Sequence, residues 1–318
     1  MTVLFLIVGV AGLYFGAEWL VLGSARIALS LRITPLVIGL TVVAFGTSAP
    51  EMVTSSLAAW RGSTDLALGN VVGSNIANLA LILGLSALIR AVPCGREIFK
   101  REVPLMLLAS VLVYALAATG MVSRFWGVAL IAGLVGFTWI TLRYARAEPV
   151  ETTATEVTDV GGIELDPTAE LHLGREIART IVGISALVLG AKLLVDAAQI
   201  LARQFGIPEF LIAVTMVALG TSLPELATSI VAVMRGEADV LVGNIVGSNV
   251  FNLLGGLGIA AAITPVEVSP AIVQFDLPVM LAITALATFA LYTHGRIERW
   301  EGGVLLGSYV AYMAFLFA

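Results

Sequence analysis

Two blocks of residues occur twice in this chain at one fixed separation. The hexapeptide Gly46–Glu51 reads GTSAPE, and Gly220–Glu225 reads GTSLPE. The decapeptide Gly69–Asn78 reads GNVVGSNIAN and returns as Gly243–Asn252, GNIVGSNVFN. Both pairs are offset by 174 positions, so the chain contains two copies of one unit. Any fold for this chain must therefore place equivalent elements in two related environments.

The composition is that of a protein that faces lipid. Hydrophobic residues make up 59% of the chain, charged residues 12%, and the mean hydropathy is +1.01, whereas about a quarter of the residues in soluble domains are charged. No basic stripe or nucleotide-binding glycine motif is present, which argues against a nucleic-acid partner. The single cysteine, Cys94, excludes an intrachain disulfide,. Glu18 interrupts the first apolar run, so we expect a retained membrane helix rather than a signal peptide.

Ten stretches approach the roughly 20 apolar residues that a helix needs to cross the bilayer. We therefore predict an all-α integral membrane protein with ten transmembrane helices. The predicted spans are Thr2–Ala25, Ile33–Trp60, Leu66–Ile89, Val103–Thr119, Phe125–Leu142, Ile177–Leu201, Ile207–Met234, Val240–Ile263, Ala271–Tyr292 and Trp300–Ala318. The ninth is interrupted near its start by Asp276 and Pro278.

Lysine and arginine in short loops predict the orientation, because they favour the cytoplasmic side. With the N-terminus outside, three of these residues face out: Arg61, Arg124 and Arg203. Lys192 lies within a span, and the rest face the cytoplasm, namely Arg26, Arg32, Arg90, Arg96, Lys100, Arg101, Arg143, Arg146, Arg175, Arg179, Arg235, Arg296 and Arg299. We therefore expect a cell (inner) membrane protein with both termini outside the cytoplasm.

The repeat spacing predicts two halves of opposite orientation. Five predicted spans separate each block from its copy, and because five is odd the second half enters the bilayer from the other side. We assign residues 1–143 to a first five-helix repeat and 176–318 to a second, inverted one, an architecture that places the shared site near the midplane. Residues 144–175 form an acidic cytoplasmic linker, expected to be solvated and partly disordered. A small regulatory ion site is the alternative for this linker.

Each block places a glutamate among hydroxyls within an apolar span. Glu51 follows Thr47 and Ser48 by about one turn, and Pro50 with Gly46 predicts a break in the helix that exposes backbone carbonyls,. The second copy repeats this with Thr221, Ser222, Pro224 and Glu225. Intramembrane carboxylates are costly and mark functional sites by default.

The second block adds neutral oxygen donors. Ser74 and Asn78 lie four residues apart on one helix face, as do Ser248 and Asn252,. Such a set of oxygens suits Ca²⁺ or Na⁺, whereas zinc or copper would require histidine or cysteine. For any single serine, threonine or asparagine, bonding within its own helix or between helices is an open alternative.

Other polar residues in the spans have structural explanations. Asn70, Asn75, Asn244 and Asn249 are expected to make backbone or helix contacts, with ion ligation as the lesser alternative. Glu18 and Lys192 occupy equivalent positions in spans one and six, and Asp196 follows Lys192 by one turn, which predicts a local ion pair. Neither residue is placed in the site.

The paired blocks closely resemble the two alpha-repeats of the sodium/calcium exchangers, in the cation/calcium exchanger superfamily. The likeness covers nearly the whole chain and is closest to the compact prokaryotic members. It implies ion sites between spans 2, 3, 7 and 8, where Ca²⁺ and Na⁺ compete, and access that alternates as spans 1 and 6 slide. The implied ligands are Glu51 and Glu225, the side chains of Thr47, Ser48, Ser74, Asn78, Thr221, Ser222, Ser248 and Asn252, and the carbonyls of Ala44 and Ala218. Some members, including potassium-dependent ones, have aspartate where this chain has Asn252, so potassium transport is not expected.

The expected function is secondary active exchange of Na⁺ for Ca²⁺, with no enzymatic activity and no cofactor beyond the transported ions. A proton-coupled exchanger is the main alternative, and H⁺ and other divalent cations are further candidate substrates. A passive channel is a weaker alternative, because duplicated closed sites favour alternating access. An intramembrane serine hydrolase is weaker still, because Ser48 and Ser222 have no histidine or lysine base at motif spacing. The expected partners are the lipid bilayer and the ions, and the expected state is a monomer or weak oligomer.

Overall fold

The computed structural model describes residues 2–147, 159–160, 163–164, 172–205 and 220–316, and these are largely helical. The main helices up to residue 147 are α1 (Thr2–Leu31), α2 (Pro35–Trp60), α3 (Thr64–Ile89), α4 (Glu102–Ala117) and α5 (Arg124–Ala147). Those after residue 172 are α6 (Leu173–Gln204), α7 (Leu223–Arg235), α8 (Ala238–Ile263), α9 (Leu277–His294) and α10 (Arg299–Leu316). A short 3-10 helix, Arg96–Lys100, precedes α4. The predicted all-α class is confirmed.

Seven helices in the described part of the chain are long and apolar enough to cross a membrane: α1, α2, α3, α5, α6, α8 and α9, the last counted from its preceding turn at Ile272. The apolar helix α4 has only 16 residues. The first turn of α10 carries Glu301. Residues 207–219 of the seventh predicted span lie outside the described residues. The chain is therefore a multi-pass membrane protein.

Burial separates interior from peripheral helices. The apolar window of α8 is 89% buried and that of α3 is 72% buried, whereas those of α1, α5 and α6 are between 22% and 28% buried. The peripheral helices expose large apolar side chains, for example Val128 and Val135 on α5. Since these side chains require a lipid environment, the interior helices are the ones that can enclose a polar site.

The predicted break at Gly46 and Pro50 in α2 is wrong, because the helix runs through Pro50 to its end at Trp60. A proline removes one backbone donor and its ring crowds the preceding turn, yet α2 stays helical at Pro50 and departs from α-geometry earlier, in a π-helical segment at Gly39–Val43. In the second copy a break does occur. Ser222 is a turn residue with φ −87° and ψ 4°, and α7 starts at Leu223.

Two further π-helical segments occupy equivalent positions in the two copies. Ala77–Ile82 lies in α3 and Phe251–Gly256 lies in α8, 174 residues later. Each contains one of the predicted ligands, Asn78 or Asn252. Isolated π turns within α-helices are frequent at functional sites, so the irregular backbone coincides with the repeated sequence.

Helices α1 and α6 pack together along a line of glycines. A Cβ atom on Gly183 would lie 2.7 Å from the backbone nitrogen of Leu20, and one on Gly16 would lie 2.9 Å from the carbonyl oxygen of Gly183. Gly9 and Gly190 are equally close: a Cβ atom added to Gly9 would lie 3.0 Å from the carbonyl oxygen of Gly190, and one added to Gly190 would lie 2.9 Å from that of Gly9. Because residue numbers rise along α1 as they fall along α6, the two helices are antiparallel.

Short antiparallel strand pairs join the two halves. The strands are β1 (Val92–Pro93), β2 (Met121–Val122), β3 (Asp159–Val160), β4 (Ile163–Glu164), β5 (Val266–Glu267) and β6 (Arg296–Ile297). β1 pairs with β6 and β2 pairs with β5. By the repeat offset, β1 corresponds to β5 and β2 corresponds to β6. The symmetry that relates the two copies therefore also relates the β1–β6 pair to the β2–β5 pair.

The predicted linker, 144–175, is only partly described. Helix α5 continues to Ala147, and α6 begins at Leu173. Between them, β3 and β4 form one antiparallel pair. The remaining linker residues, and with them the expectation of disorder, lie outside the described residues.

Candidate ion-binding site

The two repeated glutamates are joined by reciprocal hydrogen bonds between the copies. The Ser48 hydroxyl on α2 donates to Oε1 of Glu225 at 3.0 Å, and the Ser222 hydroxyl before α7 donates to Oε1 of Glu51 at 3.2 Å. Both glutamates are 1% exposed. Each bond therefore crosses from one copy to the other and brings the repeated serines and glutamates of both copies together.

The second oxygen of each carboxylate is buried. Among the residues that the structure describes, Oε2 of Glu51 and Oε2 of Glu225 have no hydrogen-bond partner. Among the described residues, the ion pairs leave out both glutamates. A buried ionised carboxylate without a counter-charge is strongly destabilising. Two such carboxylates together therefore favour a bound cation.

Helices α3 and α8 supply further unpartnered oxygens. The Ser74 hydroxyl and both amide atoms of Asn78 are buried and have no hydrogen-bond partner within the described part of the chain, and the same holds for both amide atoms of Asn252. Asn252 is fully buried and Asn78 is 1% exposed. Buried amides are normally hydrogen-bonded. Their unused oxygens fit the hypothesis that these residues ligate an ion.

Thr47 of α2 lies close to both Ser248 and the Ala44 carbonyl. The Thr47 hydroxyl donates to Oδ1 of Asn244 at 3.1 Å and lies 3.4 Å from the Ser248 hydroxyl. It also approaches the Ala44 carbonyl at 3.4 Å. In this arrangement Asn244 holds both hydroxyls, since Ser248 also donates to its Oδ1 at 3.4 Å.

Two buried serines belong to this network and were missed by the sequence reasoning. Asn70 donates to the Ser55 hydroxyl at 2.9 Å and to the backbone carbonyl of Glu51 at 3.2 Å. In the second copy Asn244 donates to Ser229 at 3.5 Å. Ser55 and Ser229 are themselves offset by 174 positions, so extending the repeat comparison by four residues past each glutamate would have found them.

The structural roles predicted for the other repeated asparagines are confirmed. Asn75 donates to the carbonyl of Val71 at 2.7 Å, and Asn249 donates to that of Ile245 at 2.7 Å. These bonds connect each side chain to its own helix. Ala218, predicted as a carbonyl ligand, lies outside the described residues.

Thr221 lines a cleft beside the site. The cleft has a volume of about 380 Å³ and lies between α2, α6 and the start of α7. Its lining includes Pro50 and Pro224, each directly before a glutamate. The remaining lining residues are Thr54, Val188, Ala191, Lys192, Val195, Asp196, Gln199 and Gly220. The cleft therefore opens beside the two prolines that directly precede the paired glutamates.

The predicted ion pair between Lys192 and Asp196 is wrong. No pair within 4.0 Å joins them, although both residues are described, because each side chain faces the cleft rather than its neighbour. The equivalent of Lys192 in the first copy, Glu18, forms an ion pair with Arg235 at the end of α7. Position 18 therefore links two helices, whereas position 192 forms no ion pair with any residue that the structure describes.

The donor set fits a hard cation. In the described part of the chain, no three of His, Cys, Asp and Glu gather as metal ligands. A cation between the glutamates would thus be held by two carboxylates and neutral hydroxyl, amide and carbonyl oxygens. Such ligands suit Ca²⁺ and Na⁺ and give softer metals no preferred donor.

Comparison with known proteins agrees with this chemistry. The profile of the family described as sodium/calcium exchanger protein matches residues 1–143 and 176–318. The putative antiporter CaxA of Alkalimonas amylolytica is 37% identical over 99% of this chain and 98% of its own length. The sodium/calcium exchanger MaX1 of Methanosarcina acetivorans is 31% identical, over 99% and 98%.

The fold is also that of a solved exchanger. A structure of the sodium-calcium exchanger NCX_Mj, soaked with zero Na⁺ and Ca²⁺, superposes with a TM-score of 0.85 at 28% identity, covering 99% of this chain and 98% of that one. Family profile, full-length relatives and fold therefore agree: this chain is a member of the sodium/calcium exchanger family.

Proposed function

We propose that the protein is a secondary active antiporter that exchanges Na⁺ for Ca²⁺ by alternating access. The observation that carries the proposal is the reciprocal pairing of Glu51 with Ser222 and Glu225 with Ser48, which leaves one buried oxygen of each carboxylate unpartnered. The other proposed ligands are Thr47, Ser74, Asn78, Thr221, Ser248 and Asn252, with the carbonyls of Ala44 and Ala218.

The proposed architecture has ten spans in two inverted repeats, 1–143 and 176–318, joined by a cytoplasmic linker at 144–175. Helices α2, α3, α7 and α8 form its core. The antiparallel contact of the equivalent helices α1 and α6 supports this inversion. The pairing of β2 with β5 supports the number of spans, because paired strands must lie on the same side of the membrane. The chain between them must therefore cross the membrane an even number of times, and helices α5 to α8 provide four crossings.

In the proposed topology, both termini lie on the side of the cell membrane that faces away from the cytoplasm. The support is the excess of arginine and lysine in the loops that this orientation puts inside. The cytoplasmic end of α1 then carries Arg26, which pairs with Glu176 of α6 at 3.4 Å, and Arg179 pairs with the same glutamate at 3.0 Å. The Arg26–Glu176 pair joins α1 to α6 at that end, and the Arg179–Glu176 pair, which lies within α6, orients the shared glutamate.

Exchange follows from competition for shared oxygens. The two carboxylates offer a charge near −2, which one Ca²⁺ or several Na⁺ ions neutralise. Since both ions need Glu51 and Glu225, they cannot occupy the site together. An empty site keeps two uncompensated charges in a low-dielectric interior, which opposes closure over an unloaded site. Transport in one direction then requires a return step with the other ion.

The cleft lined by Thr221 is the proposed outward entrance. Helices α2 and α6 run outward in the proposed orientation, and the cleft lies on the outer side of Glu51, next to Pro50 and Thr54. On the inner side, Ile184 of α6 covers Gly46, where a Cβ atom would lie 2.5 Å from the isoleucine Cδ1. Sliding of α1 and α6 would uncover Gly46 and close the cleft.

The test of this proposal is ⁴⁵Ca²⁺ uptake into proteoliposomes that contain Na⁺. We expect uptake with an outward Na⁺ gradient and background uptake when Na⁺ is equal on both sides. A protonophore should leave the Na⁺-driven uptake in place. Uptake that follows an imposed pH gradient and ignores Na⁺ would replace sodium coupling with proton coupling, and uptake that needs neither gradient would indicate a channel.

Acid should inhibit this exchange. Protons bind the same carboxylates as Ca²⁺, so protonation of Glu51 or Glu225 removes the charge that attracts the ion. We expect the initial rate of Na⁺-driven uptake to be lower at about pH 5 than at about pH 8, with part of the loss recovered by raising the Ca²⁺ concentration. A rate that stays flat from neutral to strongly acidic pH would contradict the shared carboxylates.

A further inference from the structure

One charged side chain in the cleft takes no part in the proposed site. Lys192 lies on α6, its side chain is exposed, and it lines the cleft with Thr221, a proposed ligand. Within the described residues, no hydrogen bond or ion pair involves its ammonium group. Asp196 lies on the same wall without contacting it within 4.0 Å. A fixed positive charge therefore stands at the opening to a cation site.

The equivalent position in the first copy carries the opposite charge. The equivalent residue Glu18 is negative and pairs with Arg235 on α7. The equivalent of Arg235 is Arg61, so the second copy combines Lys192 with another cation and cannot form that pair. The two copies thus share their glutamates and serines but differ in charge at this position.

We propose that Lys192 is a specificity-determining residue at this entrance, which disfavours Ca²⁺ relative to Na⁺ by electrostatic repulsion. The inference rests on the proposed exchange function and adds a difference between the two sides of the membrane. Ions that enter through the cleft pass the ammonium group, whereas ions that enter from the other side do not. The entrance on the side where α6 ends therefore has the lower apparent affinity for Ca²⁺.

The discrimination follows from ion valence. The positive potential of the ammonium group lowers the local concentration of a cation. Because the electrostatic energy is proportional to the ionic charge, the reduction factor for a divalent cation is the square of the factor for a monovalent one. A unit charge at roughly 10 Å in a water-like medium changes the concentration of a monovalent ion about twofold and that of a divalent ion about fourfold. Asp196 opposes this potential, so its removal should strengthen the effect. Because the cleft is open to water, added salt should weaken it.

Charge-removing variants test this relation. In Lys192→Gln, we expect the KM for Ca²⁺ at this entrance to fall about fourfold and the Na⁺ concentration for half-inhibition of uptake to fall about twofold. In Asp196→Asn, we expect the KM for Ca²⁺ and the Na⁺ concentration for half-inhibition both to rise, again with the factor for Ca²⁺ equal to the square of the factor for Na⁺. The chain's other lysine is Lys100. Lys100→Gln is the matched control and should change neither value at the cleft, since it removes the same charge elsewhere.

Chemical restoration of the charge separates electrostatics from structure. In Lys192→Cys, a membrane-impermeant thiol reagent that adds a positive group should return the KM for Ca²⁺ to the original value, and one that adds a negative group should lower it further. The native thiol does not interfere. Burial, with a smaller contribution from the Asp239 carboxylate, raises the pKa of Cys94 to about 12, so it stays protonated and unreactive near neutral pH.

The outcomes separate this inference from the proposed function. Equal shifts for Ca²⁺ and Na⁺ in Lys192→Gln, or identical effects of the positive and negative reagents, would overturn the role of Lys192 while leaving exchange intact. Ca²⁺ uptake that ignores Na⁺ in the unaltered protein would overturn sodium coupling. The shift in KM for Ca²⁺ could still be measured in that case, and its presence or absence would decide the role of Lys192.

Discussion

Replacing Glu51 or Glu225 with glutamine should abolish Na⁺-driven Ca²⁺ uptake and lower the affinity for Ca²⁺ by more than about 100-fold. Loss of a residue that merely orients a metal ligand already costs about 10–100-fold, and these glutamates are the proposed ligands themselves. Glutamine keeps the shape of the side chain and one oxygen but removes a charge. The remaining carboxylate cannot neutralise a divalent ion. Initial rates of ⁴⁵Ca²⁺ uptake and equilibrium binding to the purified protein would measure both effects.

The matched control for these variants is Glu267→Gln. Glu267 is exposed in β5, so the same change there should leave uptake unchanged. Ser48→Ala provides an intermediate case, because it removes a hydrogen bond to Glu225 and a neutral oxygen but no charge. Its loss of affinity should be smaller than that of Glu225→Gln. Full uptake in both glutamate variants would show that ions bind elsewhere.

Much of this site could be predicted because its residues occur in both copies of the repeat. A glutamate within one apolar span has several explanations, but Glu51 and Glu225 share hydroxyls at the same spacing. That repetition predicted a joint site, and the hydrogen bonds from Ser48 and Ser222 to the opposite glutamates agree with it. Chemistry reinforced the inference, since every repeated polar group offers oxygen.

The course of the backbone through the site could not be predicted in the same way. Pro50 and Pro224 occupy equivalent positions, yet α2 continues through the first, whereas a turn at Ser222 precedes the second. A proline removes the same backbone donor in both copies. Whether the helix then breaks depends on how neighbouring helices pack around it, which local sequence does not specify.

Charge pairing across helices was likewise hidden from sequence. Lys192 and Asp196 have the spacing of a helical ion pair, but such pairs are worth only about 0.3–0.5 kcal/mol at an exposed site. An open cleft on that face of α6 is enough to separate them. Glu18 instead pairs with Arg235, more than two hundred positions away. A contact at that separation requires the fold to be known first.

The second large effect is expected at the contact between α1 and α6. Gly183→Leu should destabilise the protein by roughly 3 kcal/mol or more, at the upper end of what overpacking costs. The reason is backbone proximity: even a Cβ atom at this position would lie 2.7 Å from the nitrogen of Leu20 and 2.8 Å from the carbonyl oxygen of Gly16. Backbone atoms cannot turn aside as a flexible side chain can. The two helices must therefore separate.

Separation of α1 and α6 should stop transport as well as lower stability. Ile184 lies one residue after Gly183 and covers Gly46, so displacement of α6 would remove the contact proposed to close the inner side. The thermal midpoint in detergent and Na⁺-driven ⁴⁵Ca²⁺ uptake would measure the two effects. The control is Gly307→Leu on α10, where an added Cβ atom would meet no described atom within 4 Å and lipid can accommodate the side chain. If Gly183→Leu retained both stability and uptake, the close α1–α6 contact would not be needed for the transport cycle, and the proposed joint sliding of these helices would have to be abandoned.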